Sequence, residues 1–137
     1  MGNISGAVTE PCLFVYGTLR PGFDGPMADW LKGVACHVGG ATAQGWLYRV
    51  DGYPAFVPGG SGMVKGDLFL LPDAAAILAV LDEHEECADH FPSPHEYRRA
   101  RLTVRGGDGP IEVWTYIYNR DVSALERIES GDFLAGG

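Results

Sequence analysis

The chain has 137 residues, of which 46% are hydrophobic and 20% are charged, and its formal net charge is −8. This length and balance predict one globular domain with a single hydrophobic core, and they exclude a disordered chain. The acidic charge argues against a nucleic-acid partner, because phosphate backbones attract clustered lysine and arginine.

No apolar run approaches the length of a membrane span, and the first residues lack the pattern of a signal peptide. We therefore expect a cytoplasmic protein without a membrane partner. We assign residues 1–12 to a loose N-terminal leader and residues 13–137 to a single domain. The sequence carries no signal for an oligomeric state.

The first predicted element is an apolar strand at residues 13–16, which stops at Gly17. Residues 17–19 can turn so that their backbone N–H groups point at a ligand, because glycine permits the dihedral angles and the close approach that this needs. A loop of this kind is suited to a carboxylate or an oxyanion. The alternative is an ordinary strand end with a glycine turn.

Short elements follow this loop. A loop rich in proline and glycine at 21–26 precedes a short predicted helix at 27–32, for which Gly33 is the stop signal. Further along, the pattern predicts a strand at 41–50, a turn at 51–54, a loop at 58–62 and a strand at 64–71.

The main helix is predicted to start at Ala74, with Asp73 as its N-cap. Its apolar stripe is expected from the helical spacing of Ile77, Val80, Leu81 and His84. The helix ends in a cluster of carboxylates at Asp82, Glu83, Glu85 and Glu86. Acidic side chains oppose the helix dipole at this end by a few tenths of a kcal/mol each. We therefore treat the cluster as a candidate for function.

The last part of the chain predicts a β-hairpin. Polarity alternates over 97–105 and again over 111–118, and the two strands are joined by a five-residue loop at 106–110. A short helix is expected at 123–129. This order of strands, one main helix and a hairpin predicts an α+β domain with a mainly antiparallel sheet or barrel.

The sequence holds no strong signal for a nucleophile or a metal. No Gly-x-Ser-x-Gly motif is present, and the three cysteines form no Cys-x-x-Cys pair. Histidine, cysteine and glutamate crowd the segment 84–95, but their spacing is not the His-Glu-x-x-His of a helical zinc site. We expect a solvated loop with incidental histidines and no bound metal.

The carboxylate cluster is the remaining candidate for chemistry. A carboxyl group beside an apolar helix stripe and other carboxylates has a raised pKa, which suits proton transfer near neutral pH. The alternative is an exposed acidic helix end.

Several short motifs, in their order and spacing, resemble the γ-glutamylcyclotransferase superfamily and in particular its AIG2-like branch. These motifs are Tyr16-Gly17-Thr18-Leu19-Arg20, Gly45-Trp46-Leu47-Tyr48, Gly52-Tyr53-Pro54-Ala55, Val64-Lys65-Gly66-Asp67, Leu81-Asp82-Glu83-His84-Glu85, Tyr97-Arg98-Arg99, Trp114-Thr115-Tyr116 and Ser130-Gly131-Asp132-Phe133. The resemblance covers residues 13–133. Two departures are Phe23-Asp24-Gly25 after the first motif and Glu86, which stands where the family often has glycine.

The resemblance implies a small β-barrel flanked by helices, with a cavity at one end. It assigns the acid/base role to Glu85, and we expect Arg99 to be a structural ion-pair partner near the site. The substrate-binding residues that it implies are Tyr16, Gly17, Thr18, Leu19, Arg20, Tyr53 and Tyr116. For Tyr53 and Tyr116, the alternative is a place in the barrel core.

The implied reaction is an attack by the α-amine of a γ-glutamyl amide on its own side-chain carbonyl. It releases 5-oxoproline and a free amine or amino acid, and it needs no cofactor. The implied partner is thus a small γ-glutamyl compound, whose leaving amine the sequence does not specify. The alternative function is a non-catalytic protein of the same fold that binds a small ligand or a partner, and a metal-dependent hydrolase is a third.

Overall fold

The computed structural model describes residues 11–135, which form a closed five-stranded β-barrel flanked by two helices. The strands are β1 Cys12–Val15, β2 Cys36–Val50, β3 Tyr53–Leu70, β4 Tyr97–Gly106, β5 Gly109–Tyr118 and the short β6 Glu126–Arg127. The helices are α1 Pro26–Val34 and α2 Ala74–His84, and a 3₁₀ helix covers Phe133–Ala135. No helix in this described part is long and apolar enough to cross a membrane.

The barrel closes in the order β3-β1-β5-β4-β2, because β2 pairs back onto β3. All these neighbours are antiparallel except β1 and β5, which run in the same direction. The predicted α+β class with a mainly antiparallel barrel and flanking helices is therefore confirmed. Because this pair is parallel, β1 and β5 end at the same end of the barrel.

The start of the domain lies slightly earlier than predicted. Cys12, which we placed in the leader, opens β1 and is 3% exposed. Residues 1–10 of the predicted leader and residues 136–137 of the predicted domain lie outside the described part.

Strand β1 is apolar on both faces because it is buried on both. Phe14 and Tyr16 point into the barrel interior, whereas Leu13 and Val15 pack between the barrel and the helices. A buried strand of this kind is expected to be a continuous apolar run, as the sequence indicated.

The β2–β3 hairpin is longer than the pattern predicted. Strand β2 begins at Cys36 rather than at residue 41, and the turn at Asp51 joins it to a β3 that runs through the predicted loop at 58–62. Gly45 pairs with Pro58 while the preceding Gln44 pairs with Met63. Residues 59–62 therefore bulge out of the ladder, which explains their loop-like composition.

The helices also differ in detail from the prediction. Helix α1 continues through Gly33 to Val34, where the N–H of Ala35 caps it by donating to Leu31 O. In α2 the buried stripe consists of Ile77, Leu78 and Leu81. Val80 and His84 are exposed, so the prediction that they belong to the stripe was wrong. Asp73 caps α2 as predicted, since its Oδ1 accepts from the N–H of Ala76 at 3.4 Å.

Two predictions for the last third of the chain were wrong. The β4–β5 hairpin turns through two residues rather than five, because Gly106 and Gly109 pair directly. The predicted helix at 123–129 is a turn followed by β6, which pairs with β2. Arg127 of β6 also lies 4.3 Å above the Trp46 ring, which adds a second contact with β2.

The C-terminal segment is held against β3 by a close backbone approach at Gly131. Its φ is +71°, and a Cβ atom there would lie 2.0 Å from Met63 O. The carbonyl of Gly131 accepts from the N–H of Lys65 at 2.8 Å. Only glycine fits both the left-handed backbone and this contact.

We expect Gly131→Ala to lower the free energy of unfolding by about 2 kcal/mol or more, since it combines left-handed strain with a backbone clash. Gly107→Ala is the matched control, because a Cβ atom there would meet nothing within 4 Å. Urea unfolding of both variants measures the difference. Equal stability of the two variants would contradict the close approach.

Candidate active site

A cavity of about 650 Å³ opens at the end of the barrel where β1 and β5 end. The end of β1, the residues after it, the end of α2, the segment 91–97 and the residues following β5 all contribute to its wall. The sequence-predicted residues that it brings together are Tyr16, Gly17, Thr18, Leu19, Tyr53, Glu85 and Tyr116. Its volume is typical of a small-molecule site.

The turn after β1 presents free backbone donors to this cavity. Arg20 N–H donates to Gly17 O at 3.0 Å and closes the turn. Within residues 11–135, the N–H groups of Gly17, Thr18 and Leu19 donate no hydrogen bond. Three unpaired N–H groups beside a cavity can receive an anionic oxygen.

Glycine is required at position 17 because the ring of Pro54 lies close to its Cα atom. A Cβ atom on Gly17 would lie 2.5 Å from Pro54 Cγ and 2.8 Å from Pro54 Cδ. The proline ring belongs to β3, so it cannot move away without moving the strand. The motifs around Gly17 and Pro54, which are far apart in the chain, thus fit together at the cavity.

Arg20 does not line the cavity with the residues that precede it. Its Nε atom lies 2.8 Å from Asp67 Oδ2, and its Nη1 atom lies 2.8 Å from Asp132 Oδ1. Both carboxylates are partly buried, and His37 lies 3.0 Å from the other oxygen of Asp67. Arg20 therefore ties the turn to β3 and to the C-terminal segment, and its geometry is that of a structural residue.

Glu85 is placed in the cavity wall by the end of α2. It is the C-cap residue, and the chain then turns through Glu86, whose φ is +58°. Two hydrogen bonds complete a Schellman motif, from Glu86 N–H to Glu83 O and from Cys87 N–H to Asp82 O. The glycine usual at this position is replaced by Glu86 in the same left-handed conformation.

The environment of Glu85 suits proton transfer. Burial, and after it the negative charge of Glu96, raises the pKa of Glu85 from 4.5 to about 7. Such a carboxyl group is present in both protonation states near neutral pH, so it can accept and return a proton. The alternative of a fully exposed acidic helix end does not describe Glu85, which is only partly exposed.

Tyrosines surround the carboxyl group. Burial raises the pKa of both Tyr16 and Tyr97, and the negative charge of Glu85 is the second cause of the rise. Tyr97 donates its hydroxyl proton to Pro54 O at 2.8 Å, and Tyr16 donates to Tyr116 O. These phenols stay neutral and form a rigid wall beside Glu85. Tyr53, by contrast, is 40% exposed at the cavity mouth.

The carboxylate of Asp82 fixes the end of α2 to the barrel. It accepts two hydrogen bonds from Arg99 of β4, at 3.0 and 3.2 Å, and one from the Tyr116 hydroxyl of β5 at 2.7 Å. Arg99 in turn lies 4.6 Å above the Trp114 ring. The ion-pair role predicted for Arg99 is thus present in the geometry, and its partner is Asp82.

The histidines and cysteine of segment 84–95 do not converge. His90 lies 3.2 Å from Glu83, His95 contacts Phe91 O, and Cys87 Sγ lies 3.8 Å from Asp82 Oδ1. Burial raises the pKa of Cys87 to about 11, with the Asp82 carboxylate as the next cause. Across residues 11–135, no group of three or more metal-ligating side chains could hold a metal ion.

Sequence reasoning assigned no role to several residues in the cavity wall, namely Pro54, Phe91, His95, Glu96, Tyr97 and Arg120. Tyr97 and Pro54 lie within motifs that carried the resemblance, and that was a usable signal. Glu96 and Arg120 belong to irregular segments, and no local pattern marks them as neighbours.

We expect Arg99→Ala to lower the free energy of unfolding by about 1–2 kcal/mol, because it leaves the partly buried carboxylate of Asp82 without its charged partner. Arg101→Ala is the matched control. It also removes a guanidinium above Trp114, but its ion pair with Glu112 is exposed and contributes at most about 1 kcal/mol. Urea unfolding measures the stability of both variants. An equal loss of unfolding free energy in the two would mean that the partly buried pair of Arg99 with Asp82 contributes no more than an exposed ion pair.

Comparisons with known proteins support the same family. The family model described as "Gamma-glutamyl cyclotransferase, AIG2-like" matches residues 13–135. The chain is 31% identical over 122 residues to the "Gamma-glutamylcyclotransferase family protein YtfP" of Escherichia coli K12, covering 89% of this chain and 95% of that one. It is 29% identical over 119 residues to "Gamma-L-glutamyl-butirosin B gamma-glutamyl cyclotransferase" of Niallia circulans, covering 86% and 73% of the two chains.

Solved structures share the fold. The solution structure of ytfP from Escherichia coli has a TM-score of 0.61 at 31% identity, covering 90% of this chain and 96% of that one. An AIG2-like protein from Mus musculus has a TM-score of 0.66 at 20% identity, covering 85% and 82%. Together with the family model, these matches show that the chain belongs to the AIG2-like γ-glutamylcyclotransferase family.

Proposed function

We propose that this protein is a γ-glutamylcyclotransferase that converts a γ-glutamyl amide into 5-oxoproline and a free amine. The observation that carries the proposal is the presence in one cavity of a carboxyl group with a pKa of about 7 and a turn of unpaired N–H groups. The first can move a proton at neutral pH, and the second can hold the α-carboxylate of a glutamyl group.

In the proposed reaction, the N–H groups of Gly17, Thr18 and Leu19 bind the α-carboxylate and orient the glutamyl chain. Glu85 in its carboxylate form accepts a proton from the α-ammonium group. The freed amine nitrogen then forms a bond to the γ-carbonyl carbon. As the original amide C–N bond breaks, Glu85 returns this proton to the departing amine. The ring nitrogen loses its second proton, which the released amine takes up to leave as an ammonium ion, so that the enzyme ends in its starting state.

This reaction requires few catalytic groups from the protein. The nucleophile and the carbonyl belong to one molecule, so no activated side chain is required and we propose no cofactor. The enzyme must hold the chain in a geometry close to a five-membered ring, and orientation of this kind can supply several kcal/mol. The buried walls formed by Tyr16, Tyr97 and Tyr116 suit such a task, because each is anchored by a hydrogen bond.

We expect Glu85→Gln to fold normally but to lose about 10²–10⁴-fold in kcat, the usual contribution of a general acid/base. Glu83→Gln is the matched control, because Glu83 lies two residues away on the same helix end but outside the cavity wall. The assay incubates a panel of γ-glutamyl compounds with each protein and measures 5-oxoproline. Near-wild-type turnover by Glu85→Gln would overturn the assignment of Glu85.

Absence of product with wild-type protein, accompanied by binding of the same compounds, would instead favour a non-catalytic ligand-binding role. A loss of activity on addition of a chelator would point to a metal-dependent hydrolase. The cytoplasmic location expected from the sequence stays a prediction.

The raised pKa of Glu85 also predicts how stability depends on pH. The folded state holds the Glu85 proton more tightly than the unfolded chain, since the pKa rises from 4.5 to about 7 on folding. The resulting stabilisation is fully present below pH 4.5, and it is lost as the pH rises through about 7. Glutamine does not ionise and escapes this loss.

The stability of Glu85→Gln relative to wild type should therefore increase by about 1–3 kcal/mol between pH 4.5 and pH 8.5. The upper limit corresponds to about 1.36 kcal/mol for each unit of the pKa shift, and the lower limit allows for the partial exposure of the carboxyl group. Urea unfolding at both pH values gives the comparison. A constant difference between Glu85→Gln and wild type would mean that the pKa of Glu85 is ordinary.

A further inference from the structure

Arg120 brings a positive charge to the exposed part of the cavity wall. It is the only lysine or arginine among the described residues that line the cavity. It is exposed, and in residues 11–135 no carboxylate lies within ion-pair distance of it, although Glu86 and Glu96 line the same cavity. The reaction described above makes no use of this guanidinium.

The backbone beside Arg120 is held firmly at the cavity. Strand β5 ends at Tyr118, and the next residue, Asn119, is tied to the segment that precedes β4. The N–H of Asn119 donates to Glu96 O at 2.7 Å, and its Nδ2 atom donates to His95 O at 3.1 Å. Arg120 therefore extends from a fixed point on the rim.

Arg120 reaches the cavity wall from the segment that follows β5, whereas Gly17, Thr18 and Leu19 reach it from the turn that follows β1. Burial first, and then the charge of Glu96, raises the pKa of Tyr118, and the charge of Arg120 opposes this rise. A carboxylate bound by the N–H groups of the turn does not require Arg120, so its guanidinium is available for another part of the substrate.

The cavity has room for that other part. About 650 Å³ equals the volume of roughly 20 water molecules, whereas a γ-glutamyl group has only about ten non-hydrogen atoms. Tyr53, Phe91 and Arg120 are lining residues that the proposed steps on the glutamyl group do not use, and two of these three side chains offer apolar surface. The group that leaves during the reaction must occupy the space that the glutamyl group does not fill.

We propose that Arg120 selects substrates whose leaving amine carries a carboxylate, namely γ-glutamyl amino acids and γ-glutamyl peptides. This inference rests on the proposed cyclotransferase function. A guanidinium binds a carboxylate through two parallel N–H···O bonds, which gives both attraction and orientation. Arg120 is thus a specificity-determining residue and takes no part in the proton transfer.

Two carboxylates in the same cavity wall argue for a substrate whose leaving amine is cationic rather than anionic. Glu86 and Glu96 would favour a leaving amine that carries a second positive charge. Arg120 and Glu86 are both exposed, so salt screens their charges alike. Only the guanidinium can bind a carboxylate through two parallel N–H···O bonds, and this directional pairing makes the anionic leaving group the better match.

A matched pair of substrates isolates this selectivity. γ-Glutamylalanine and γ-glutamylethylamide differ only in the carboxylate of the leaving group. We expect wild-type protein to prefer γ-glutamylalanine by about tenfold or more in kcat/KM, measured as 5-oxoproline release. In Arg120→Gln this preference should fall to about one. The ratio is internal to each protein, so a general loss of activity does not change it.

Arg105→Gln is the matched control. Arg105 is an exposed arginine near the other end of β4, roughly 25 Å along the strand from Tyr97, and it lies outside the cavity wall. This variant should keep the wild-type preference. A preference that survives in Arg120→Gln, or a wild-type protein that favours γ-glutamylethylamide, would overturn the proposal. An equal loss with both substrates would overturn it too, because it would place Arg120 at the glutamyl α-carboxylate.

A binding measurement keeps this test separate from the proposed reaction. Calorimetric titration of Glu85→Gln with each compound should show at least tenfold tighter binding of γ-glutamylalanine, and this difference should vanish in Glu85→Gln/Arg120→Gln. If the wild-type protein makes no 5-oxoproline while this binding difference persists, the cyclotransferase reaction fails and the role of Arg120 stands. No difference in binding overturns the role of Arg120.

Discussion

The interaction on which the site depends is the set of hydrogen bonds to Asp82. Helix α2 buries the side chains of Ile77, Leu78 and Leu81, and apolar contacts alone do not fix its rotation. The carboxylate of Asp82 accepts directional bonds from Arg99 and Tyr116 on two neighbouring strands. These bonds determine where the last turn of the helix ends, and hence where Glu85 enters the cavity three residues later.

The same anchoring makes Glu85 chemically useful. A carboxyl group at an unanchored helix end would turn into solvent, where its pKa would stay near 4.5. Held beside Tyr16 and Tyr97 and close to Glu96, it has a pKa of about 7. On the other side of the cavity, Arg20 anchors the turn after β1 through Asp67 and Asp132. Two partly buried ion-pair networks therefore hold the two halves of the proposed site.

Local sequence patterns predicted the features that depend on local causes. The apolar run of β1, the period of α2 with its cap at Asp73, and the alternation of the last hairpin were all readable, because burial on one or two faces imposes those patterns. The extension of β2 to Cys36 and the strand at Glu126–Arg127 were missed, because each depends on a neighbouring strand that is distant in the chain. The ion-pair partners of Arg20, Asp67 and Asp132, are also distant in the chain, so no local pattern marks them.

The measurement that tests the proposed cyclisation most directly is the identity of the product formed in water enriched in heavy oxygen. An intramolecular attack by the α-amine adds no solvent oxygen to the glutamyl carbon, whereas hydrolysis adds one. Mass spectrometry after incubation of wild-type protein with γ-glutamylalanine distinguishes the two. Unlabelled 5-oxoproline is the expected product. Glutamate that carries a heavy oxygen would contradict cyclisation and would make the protein a hydrolase.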